Sequence, residues 1–287
     1  MKHIVITGAS TGIGLAAAQS LTRAGFHVYG SVRKQADADR VSAQLGSAFT
    51  PLLFDVTDEA AVHAGAKLVR EKLGGQKLAG LVNNAGIATP GPLAYLPVAA
   101  FRQQLEVNLV GQLIATQAFL PLLGLPTPGM DQTLTGPPGR IINISSVAGK
   151  IAMPFVGPYA TSKHGLEAFS ASLRRELLPF GIDVIIIGPG SIVTPIWDKA
   201  EQLDLAPYEN TPYAAVLRRF QKVMLDRGRE GLPVEKMGEL ILHTLTTTSP
   251  RTRYAIVPQK LANWIIPRLA PARMVDKMIA RMLFTQK

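Results

Sequence analysis

The feature that most constrains this chain is a glycine-rich turn between a short apolar strand and an alanine-rich helix near the N-terminus. The strand covers residues 3–7, the turn reads GASTGIG over residues 8–14, and the helix continues over 15–24. The first glycine allows a sharp turn, the second lets the backbone approach a pyrophosphate, and the third lets the helix pack closely on the sheet. The residues assigned to a nucleotide are Gly8, Ser10, Thr11, Gly12, Ile13 and Gly14.

Downstream of this turn, strands and helices alternate along the chain. Strands are predicted at 27–32, 50–54, 80–82, 140–144 and 183–187, and helices at 58–73, 97–123 and 158–178. Runs such as IIN and VIII are apolar at consecutive positions, which is typical of strands buried on both faces. The pattern predicts an α/β fold: a single Rossmann-type domain over 1–287, with a doubly wound parallel sheet and helices on both faces. We expect a helical lid at 195–232 and a basic helical tail at 259–287.

The composition excludes several classes of protein. The 287 residues are 47% hydrophobic and 17% charged, and none is cysteine. These values exclude a disordered chain, a disulfide scaffold, a thiolate nucleophile and a cysteine-ligated metal site. The five histidines lack ligand spacing, so no metal site is assigned. No run of eighteen apolar residues predicts a membrane span, and the apolar N-terminal run is too soon interrupted for a signal peptide.

A rival interpretation of the turn is the nucleophile elbow of α/β-hydrolases, because GASTG also fits G-x-S-x-G. That elbow normally follows several strands, whereas this turn follows the first one. Seven residues also leave no room for an oxyanion loop before it. The nucleotide interpretation is therefore preferred.

The end of the second predicted strand bears on the choice of dinucleotide. An NAD site usually has an acid there for the ribose hydroxyls. This chain has Arg33 and Lys34 instead, with no acid before Asp37. Because Arg33 can pair with a 2′-phosphate, the sequence favours NADP(H) over NAD(H), although Arg33 can also be read as a solvated loop residue.

The ends of the third and fourth strands are expected to meet the adenine and its ribose. Asp55 is placed at the adenine edge, and Asn83 is expected to pin neighbouring backbone groups. The residues assigned to this side of the cofactor are Asp55, Val56, Asn83, Ala85 and Gly86.

Tyr159 and Lys163 are four residues apart on a predicted helix, so their side chains share a face. A free tyrosine with a pKa of about 10 is only about one part in a thousand ionised at neutral pH. We expect the Lys163 ammonium, and an oxidised nicotinamide, to lower that pKa, so that Tyr159 can exchange a proton with an alcohol or carbonyl oxygen. Ser146, at the end of the preceding strand, is expected to hold the same oxygen.

These motifs, together with NNAG, VNLVG and Pro189-Gly190, stand in the order found in the short-chain dehydrogenase/reductase family. The chain resembles that family over nearly its whole length, least in 124–139 and 195–232. The resemblance implies a catalytic tetrad of Asn108, Ser146, Tyr159 and Lys163. In it, Asn108 holds a water that links Lys163 to solvent protons.

The resemblance also implies how the nicotinamide half of the cofactor is held. Lys163 grips the nicotinamide ribose, and the carboxamide is bound through Ile192 and Thr194. The residues assigned to this half of the cofactor are Tyr159, Lys163, Pro189, Gly190, Ile192 and Thr194.

Within the family, AGIATPGPLAYLP resembles the branch of retinol, hydroxysteroid and 3-hydroxybutyrate dehydrogenases. The apolar residues near the predicted site favour a lipophilic alcohol or its carbonyl, although each could equally be ordinary core. The substrate residues assigned are Val147, Met153, Phe155 and Trp197. The open alternative is an NAD-dependent dehydrogenase of a small hydroxy acid, for which Lys150 or Lys199 would supply the cation.

Other functions remain as alternatives. A catalytically idle nucleotide-binding protein has no need of an intact tetrad, and nucleic-acid binding lacks a recognised motif. The resemblance implies a homodimer or homotetramer through helices 97–123 and 158–178, and we expect a cytoplasmic protein. The loop 124–139, which holds four prolines, should lie at the edge of the sheet away from the ligand.

The charge of the chain is concentrated at its C-terminal end. The formal net charge is +10, and residues 251–287 hold eight Lys/Arg against one acid. Apolar residues interleave with these cations over 260–287. This segment is either a cover over the substrate pocket with a solvated basic face or a peripheral contact with an anionic membrane.

Overall fold

The computed structural model describes residues 1–126, 128 and 134–284 and has seven parallel strands in one sheet. Their order across the sheet is β3-β2-β1-β4-β5-β6-β7, so the order reverses between β1 and β4. Ligands of such sheets bind at the carboxyl ends of the strands beside this reversal. The strands are β1 Lys2–Ile6, β2 Phe26–Val32, β3 Phe49–Leu53, β4 Gly80–Asn83, β5 Arg140–Ile144, β6 Asp183–Pro189 and β7 Arg253–Ile256.

Helices cover both faces of the sheet. Successive residues of β1 point to opposite faces: Val5 joins a core with α3 and α5, while Ile4 and Ile6 join a core with α1 and α9. This is why the strands carry consecutive apolar residues. The helices are α1 Gly12–Arg23, α2 Gln35–Leu45, α3 Glu59–Lys72, α4 Val98–Leu105, α5 Gly111–Leu123, α6 Gly157–Glu176, α7 Ile196–Glu201, α8 Ala214–Arg229, α9 Glu235–Thr246, α10 Ile266–Leu269 and α11 Ala272–Leu283.

The α/β architecture with a doubly wound parallel sheet, predicted from the sequence, is confirmed, but three elements were not predicted. These are α2, the edge strand β7 and α9. In α2 only Ala38 and Val41 are buried, and every residue of β7 is half-buried. These two elements carry little of the hydrophobic periodicity from which elements are predicted. In contrast, α9 buries Met237, Ile241 and Thr244 at helical spacing, which was a usable signal.

The helix predicted over 97–123 is interrupted. A π-helical turn at Glu106–Val110 separates α4 from α5, and it inserts one residue relative to a regular helix. As a result α4 packs against α6, whereas α5 packs against α3 and β4. The stretch Val98–Leu123 has the length and apolar composition of a membrane span, yet half of its most apolar window is buried inside the fold. The buried core helix of a soluble protein can have the same length and apolar composition.

The loop that follows α5 lies at the amino-terminal edge of the sheet. Thr135 exchanges backbone hydrogen bonds with residues just before β4: its N–H donates to Gly75 and its carbonyl accepts from Lys77. The predicted position away from the ligand edge is confirmed for the described residues of 124–139. The middle of this loop, residues 127 and 129–133, lies outside them, as does Lys287 of the predicted tail.

Candidate active site

The glycine turn has the backbone geometry that its sequence predicts. Gly8 and Gly12 have φ angles of +68° and +55°, in the left-handed region that favours glycine. A Cβ on Gly14 would collide with the carbonyl oxygen of Gly8. No side chain caps α1 at Thr11, and its first turn contains no acid. The first amides of α1 and its positive end are thus available to a diphosphate, so the chain fits a dinucleotide here.

A second loop is tied to this turn by Asn84. Its side-chain nitrogen donates to the carbonyls of Thr7 and Gly8, both at 3.0 Å. In return the Thr7 hydroxyl accepts the N–H groups of Asn84 and Ala85 at 2.9 and 3.0 Å. The ends of β1 and β4 are therefore held together where the sheet order reverses.

The prediction that the Asn83 side chain pins this backbone is wrong. Asn83 points into the core, where it donates to Thr116 at 3.0 Å and to Asn143 at 2.9 Å. Alternation along β4 places Asn83 and Asn84 on opposite sides. The pinning is done by Asn84, the next residue.

Two arginines stand beside the adenosine end of the predicted cofactor site. Arg33 follows β2, and its guanidinium lies 3.7 Å from the Asp55 carboxylate; the two side chains are 66% and 38% exposed. Arg40, on the unpredicted α2, donates to the Ser10 carbonyl at 2.7 Å and pairs with Asp37 at 2.8 Å. Arg40 was missed because its proximity to the turn depends on α2.

The predicted catalytic pair, Tyr159 and Lys163, lies on the first two turns of α6, which begins at Gly157 with Pro158 in its first turn. Tyr159 is hydrogen-bonded to Ser146, at the carboxyl end of β5. Burial raises the pKa of Tyr159 above its usual value, and the Ser146 hydrogen bond opposes this shift. We expected the Lys163 ammonium to lower the pKa of Tyr159, but this effect is not found. Burial is the largest influence on that pKa, and only the Ser146 hydrogen bond acts against it.

Lys163 is buried, with 4% of its surface exposed. Its Nζ donates to the Ile144 carbonyl at 2.8 Å and lies 5.7 Å from the centre of the Tyr159 ring. Burial lowers the pKa of Lys163 to about 8, while the negative charge of Glu167 opposes the shift. The ammonium therefore predominates below about pH 8.

Glu167, one turn beyond Lys163, balances several cations. Its carboxylate accepts three hydrogen bonds of 3.0–3.1 Å from Arg253 of β7 and lies 3.3 Å from the Lys150 ammonium. Arg253 also lies 3.4 Å from the Ser146 carbonyl and 4.4 Å from the centre of the Trp264 ring. This network was not predicted, because Arg253 lies on an unpredicted strand.

Asn108 lies in the π-helical turn and is fully buried. Its Oδ1 accepts the Ile87 N–H at 2.8 Å, and its Nδ2 donates to the Ile87 carbonyl at 3.0 Å and to the Ser162 hydroxyl at 3.2 Å. One turn earlier, buried Gln104 donates to the Ile87 carbonyl and accepts the Thr89 N–H. Two amide side chains thus clamp the loop after Gly86. Gln104 was missed, although its spacing of four from Asn108 was a usable signal.

The segment after β6 returns to the glycine turn. The Gly190 N–H donates to the Ile256 carbonyl at 2.8 Å, which ties Pro189 and its successors to β7. Buried Ile192 is followed by Thr194, whose side chain would lie 3.5 Å from a Cβ on Gly12. Thr194 therefore faces the point where a nucleotide is expected.

The four predicted substrate residues fall into two groups. Val147 and Met153 are half-buried. Trp197 instead donates to the Ile192 carbonyl at 2.7 Å, and its ring occupies the space above Gly228 of α8. Phe155 has φ +64° and is buried among the rings of Tyr213, Phe220 and Phe284. Trp197 and Phe155 therefore hold α7 and α8, which form the predicted lid, in place by packing.

Among the described residues, no group of three or more His, Cys, Asp or Glu side chains could hold a metal ion. The site instead combines a phenol, a hydroxyl and a buried ammonium beside a dinucleotide turn. Such a set can transfer a proton to or from an oxygen whose carbon exchanges a hydride with a nicotinamide.

Comparison with known proteins agrees with this geometry. A profile of the short chain dehydrogenase family matches residues 2–204. An NADPH-dependent 3-dehydrocapnine reductase from Ornithobacterium rhinotracheale is 38% identical over 96% of this chain and 95% of its own length. Retinol dehydrogenase 16 from Mus musculus is 34% identical over 88% of this chain and 80% of its own length.

The crystal structure of a short-chain dehydrogenase from Streptomyces avermitilis superposes with a TM-score of 0.74, at 25% identity, covering 98% of this chain and 94% of that one. The sheet order, the site and these matches have one explanation. The chain belongs to the short-chain dehydrogenase/reductase family, whose members are oxidoreductases of alcohols and carbonyls.

Proposed function

We propose that this protein is an NADP(H)-dependent oxidoreductase that interconverts a lipophilic secondary or allylic alcohol and its ketone or aldehyde. The observation that carries the proposal is the arrangement of Ser146, Tyr159 and Lys163 at the carboxyl ends of β5 and β6. The bound nicotinamide supplies or accepts the hydride.

In the direction of reduction, Tyr159 donates its phenolic proton to the carbonyl oxygen while Ser146 hydrogen-bonds the same oxygen. The raised pKa of Tyr159 keeps its proton in place at neutral pH. The Lys163 ammonium stabilises the tyrosinate that results. Asn108 fixes the loop at Ile87 and the hydroxyl of Ser162, and it is proposed to hold the water that returns protons to Lys163.

The choice of NADP(H) rests on the two cations near the adenosine end. Arg33 can leave Asp55 for a 2′-phosphate at little cost, because an exposed pair at 3.7 Å contributes little. The relative named an NADPH-dependent reductase points the same way. We expect Arg33→Ala to raise the KM for NADPH at least tenfold and to leave the KM for NADH nearly unchanged. Equal effects on both cofactors would contradict the assignment.

The lipophilic class is preferred over a small hydroxy acid because the nearest cation is already engaged in an ion pair. Lys150 pairs with Glu167 at 3.3 Å, and Glu167 is itself buried. The other candidate cation, Lys199, has a side chain outside the described residues. Val147 and Met153 remain the proposed substrate contacts.

The decisive experiment is a panel of retinal, steroid ketones, acetoacetate and aryl ketones, each tested with NADPH and NADH. We expect turnover of an apolar carbonyl with NADPH. Tyr159→Phe should abolish turnover without loss of NADPH binding, whereas the matched control Tyr29→Phe, in the core at β2, should retain both. Full turnover by Tyr159→Phe would exclude the acid–base role. Binding without turnover across the panel would favour an idle nucleotide-binding protein, and acetoacetate reduction with NADH would favour the hydroxy-acid alternative.

We further propose a cytoplasmic homodimer or homotetramer that assembles through the helices at 97–123 and 158–178. Val110 and Leu113 are apolar and 38% and 40% exposed at the start of α5. Substituting both by Asp should reduce the mass measured by light scattering. An unchanged mass would place the contact elsewhere.

A further inference from the structure

We propose that the C-terminal segment, residues 260–284, is a docking surface for an anionic lipid bilayer. The outward residues Leu261, Ile265 and Leu269 recur every four positions and are 64%, 38% and 75% exposed. Met274 and Met278 repeat this spacing on α11 and are about half exposed. Apolar side chains at helical spacing, open to water, form a face that a bilayer can bury.

The inward side of the same segment is already packed. Trp264 is 5% exposed and lies beneath the guanidinium groups of Arg253 and Arg268. On α11, Leu283 is buried in a core with Leu217 and Phe220 of α8. The outward residues are therefore not needed to cover the predicted lid, and the segment that carries them is anchored on the protein through Trp264 and Leu283.

The charges of this surface fit anionic lipid. It carries Lys260, Arg268, Arg273, Lys277 and Arg281, against the single acid Asp276. Arg273, Lys277 and Arg281 follow each other at intervals of four, so they form a basic row beside the row of Met274 and Met278. Apolar residues that enter the acyl boundary next to cations at headgroup level are the pattern of an interfacial helix.

Other occupants fit less well. A second copy in an isologous contact would bring two rows of like charge together. A nucleic acid would pair with the cations but would leave Leu261, Leu269 and the methionines against phosphates. The bilayer is the partner that satisfies both rows at once.

The test is co-sedimentation of the full chain with vesicles of phosphatidylcholine alone or with one-third phosphatidylglycerol. We expect binding only to the anionic vesicles, at least tenfold weaker in 0.5 M NaCl. Leu261→Gln with Leu269→Gln should weaken binding at least tenfold, as should Arg273→Glu with Lys277→Glu. The matched control, Leu68→Gln with Leu178→Gln, removes exposed leucines elsewhere and should bind like the wild type.

Three outcomes would overturn the proposal. They are equal binding to both kinds of vesicle, no binding to either, and equal loss of binding in the control. A dimer that Leu261→Gln with Leu269→Gln dissociates, with no vesicle binding, would assign the surface to a second copy instead. Vesicle binding needs neither cofactor nor substrate, so failure of the proposed enzymatic function would leave this result unchanged.

Discussion

Two rows of side chains with the same four-residue spacing break the usual rule of burial in opposite ways. In the first row Tyr159 is half-buried and the charged residues Lys163 and Glu167 are buried, whereas in the second row the apolar residues Leu261, Ile265 and Leu269 face water. The buried polar groups have partners: Lys163 donates to a carbonyl, and Glu167 is paired with two cations. The residues of the apolar row are 38–75% exposed, whereas large apolar side chains are more often buried. Each exception points to a function, chemistry in the first row and surface binding in the second.

One residue joins these two regions. Arg253 contacts Glu167 and the Ser146 carbonyl with its guanidinium edge, while its face lies over Trp264. Gly188 on the neighbouring strand β6 leaves room for it, because a Cβ there would collide with the guanidinium. The polar row therefore depends on the C-terminal segment for part of its charge balance, and this dependence can be tested.

The largest expected effect is on the polar row itself. Lys163→Met removes the charge proposed to stabilise the tyrosinate, and kcat should fall by about 10²–10⁴-fold. Steady-state reduction with NADPH measures this, with exposed Lys67→Met as the matched control. Retained kcat would mean that the buried ammonium serves only the fold.

The next effect is on stability. Glu167→Gln leaves the cations of Arg253, Lys150 and Lys163 without their shared carboxylate, and we expect a loss of about 3–5 kcal/mol in the free energy of unfolding. Urea denaturation measures it. Adding Arg253→Met should restore part of the loss, because it removes one uncompensated charge. Additive losses in the double variant would show that the two side chains act independently.

The pH dependence of the unfolding free energy tests the burial of Lys163 in this row. The pKa of Lys163 is lowered from 10.5 to about 8 by burial. Between these values the unfolded chain binds more protons, so stability from this group rises with pH, by up to about 3 kcal/mol in total. Below pH 8 its contribution is constant. The difference in unfolding free energy between Lys163→Met and wild type should therefore change only over pH 8–10.5, and a flat difference would refute the lowered pKa.

The smallest effect is expected at Arg268, which lies in the C-terminal segment beside Trp264, the ring that Arg253 also contacts. Arg268→Ala removes a guanidinium 5.4 Å from the centre of the Trp264 ring at an exposed site. Thermal unfolding should show a loss of about 0.5–1 kcal/mol, with kcat unchanged. A loss as large as that of Glu167→Gln would place Arg268 in the polar network.

Short sequence patterns were enough to predict most of the fold and part of the candidate site. The glycine turn and the Tyr159–Lys163 spacing act within one turn or helix, so the residues themselves predict their geometry. Arg253 lies 86 positions after Glu167, and Arg40 lies 30 after Ser10, so these contacts exist only once the strands have packed. The choice between Asn83 and Asn84 failed for a related reason: a strand end moved by one residue reverses which side chain faces the site.

The π-helical turn at Glu106–Val110 makes the length of this helix part of the active site. A regular helix turns by about 100° per residue. Deleting one residue from this turn would rotate α5 by that angle relative to α4. Then either Asn108 would lose Ile87 or the apolar side of α5 would leave the core. The inserted residue thus sets the rotation between α4 and α5. It allows Asn108 to hydrogen-bond the backbone of Ile87 while the apolar side of α5 packs against the sheet.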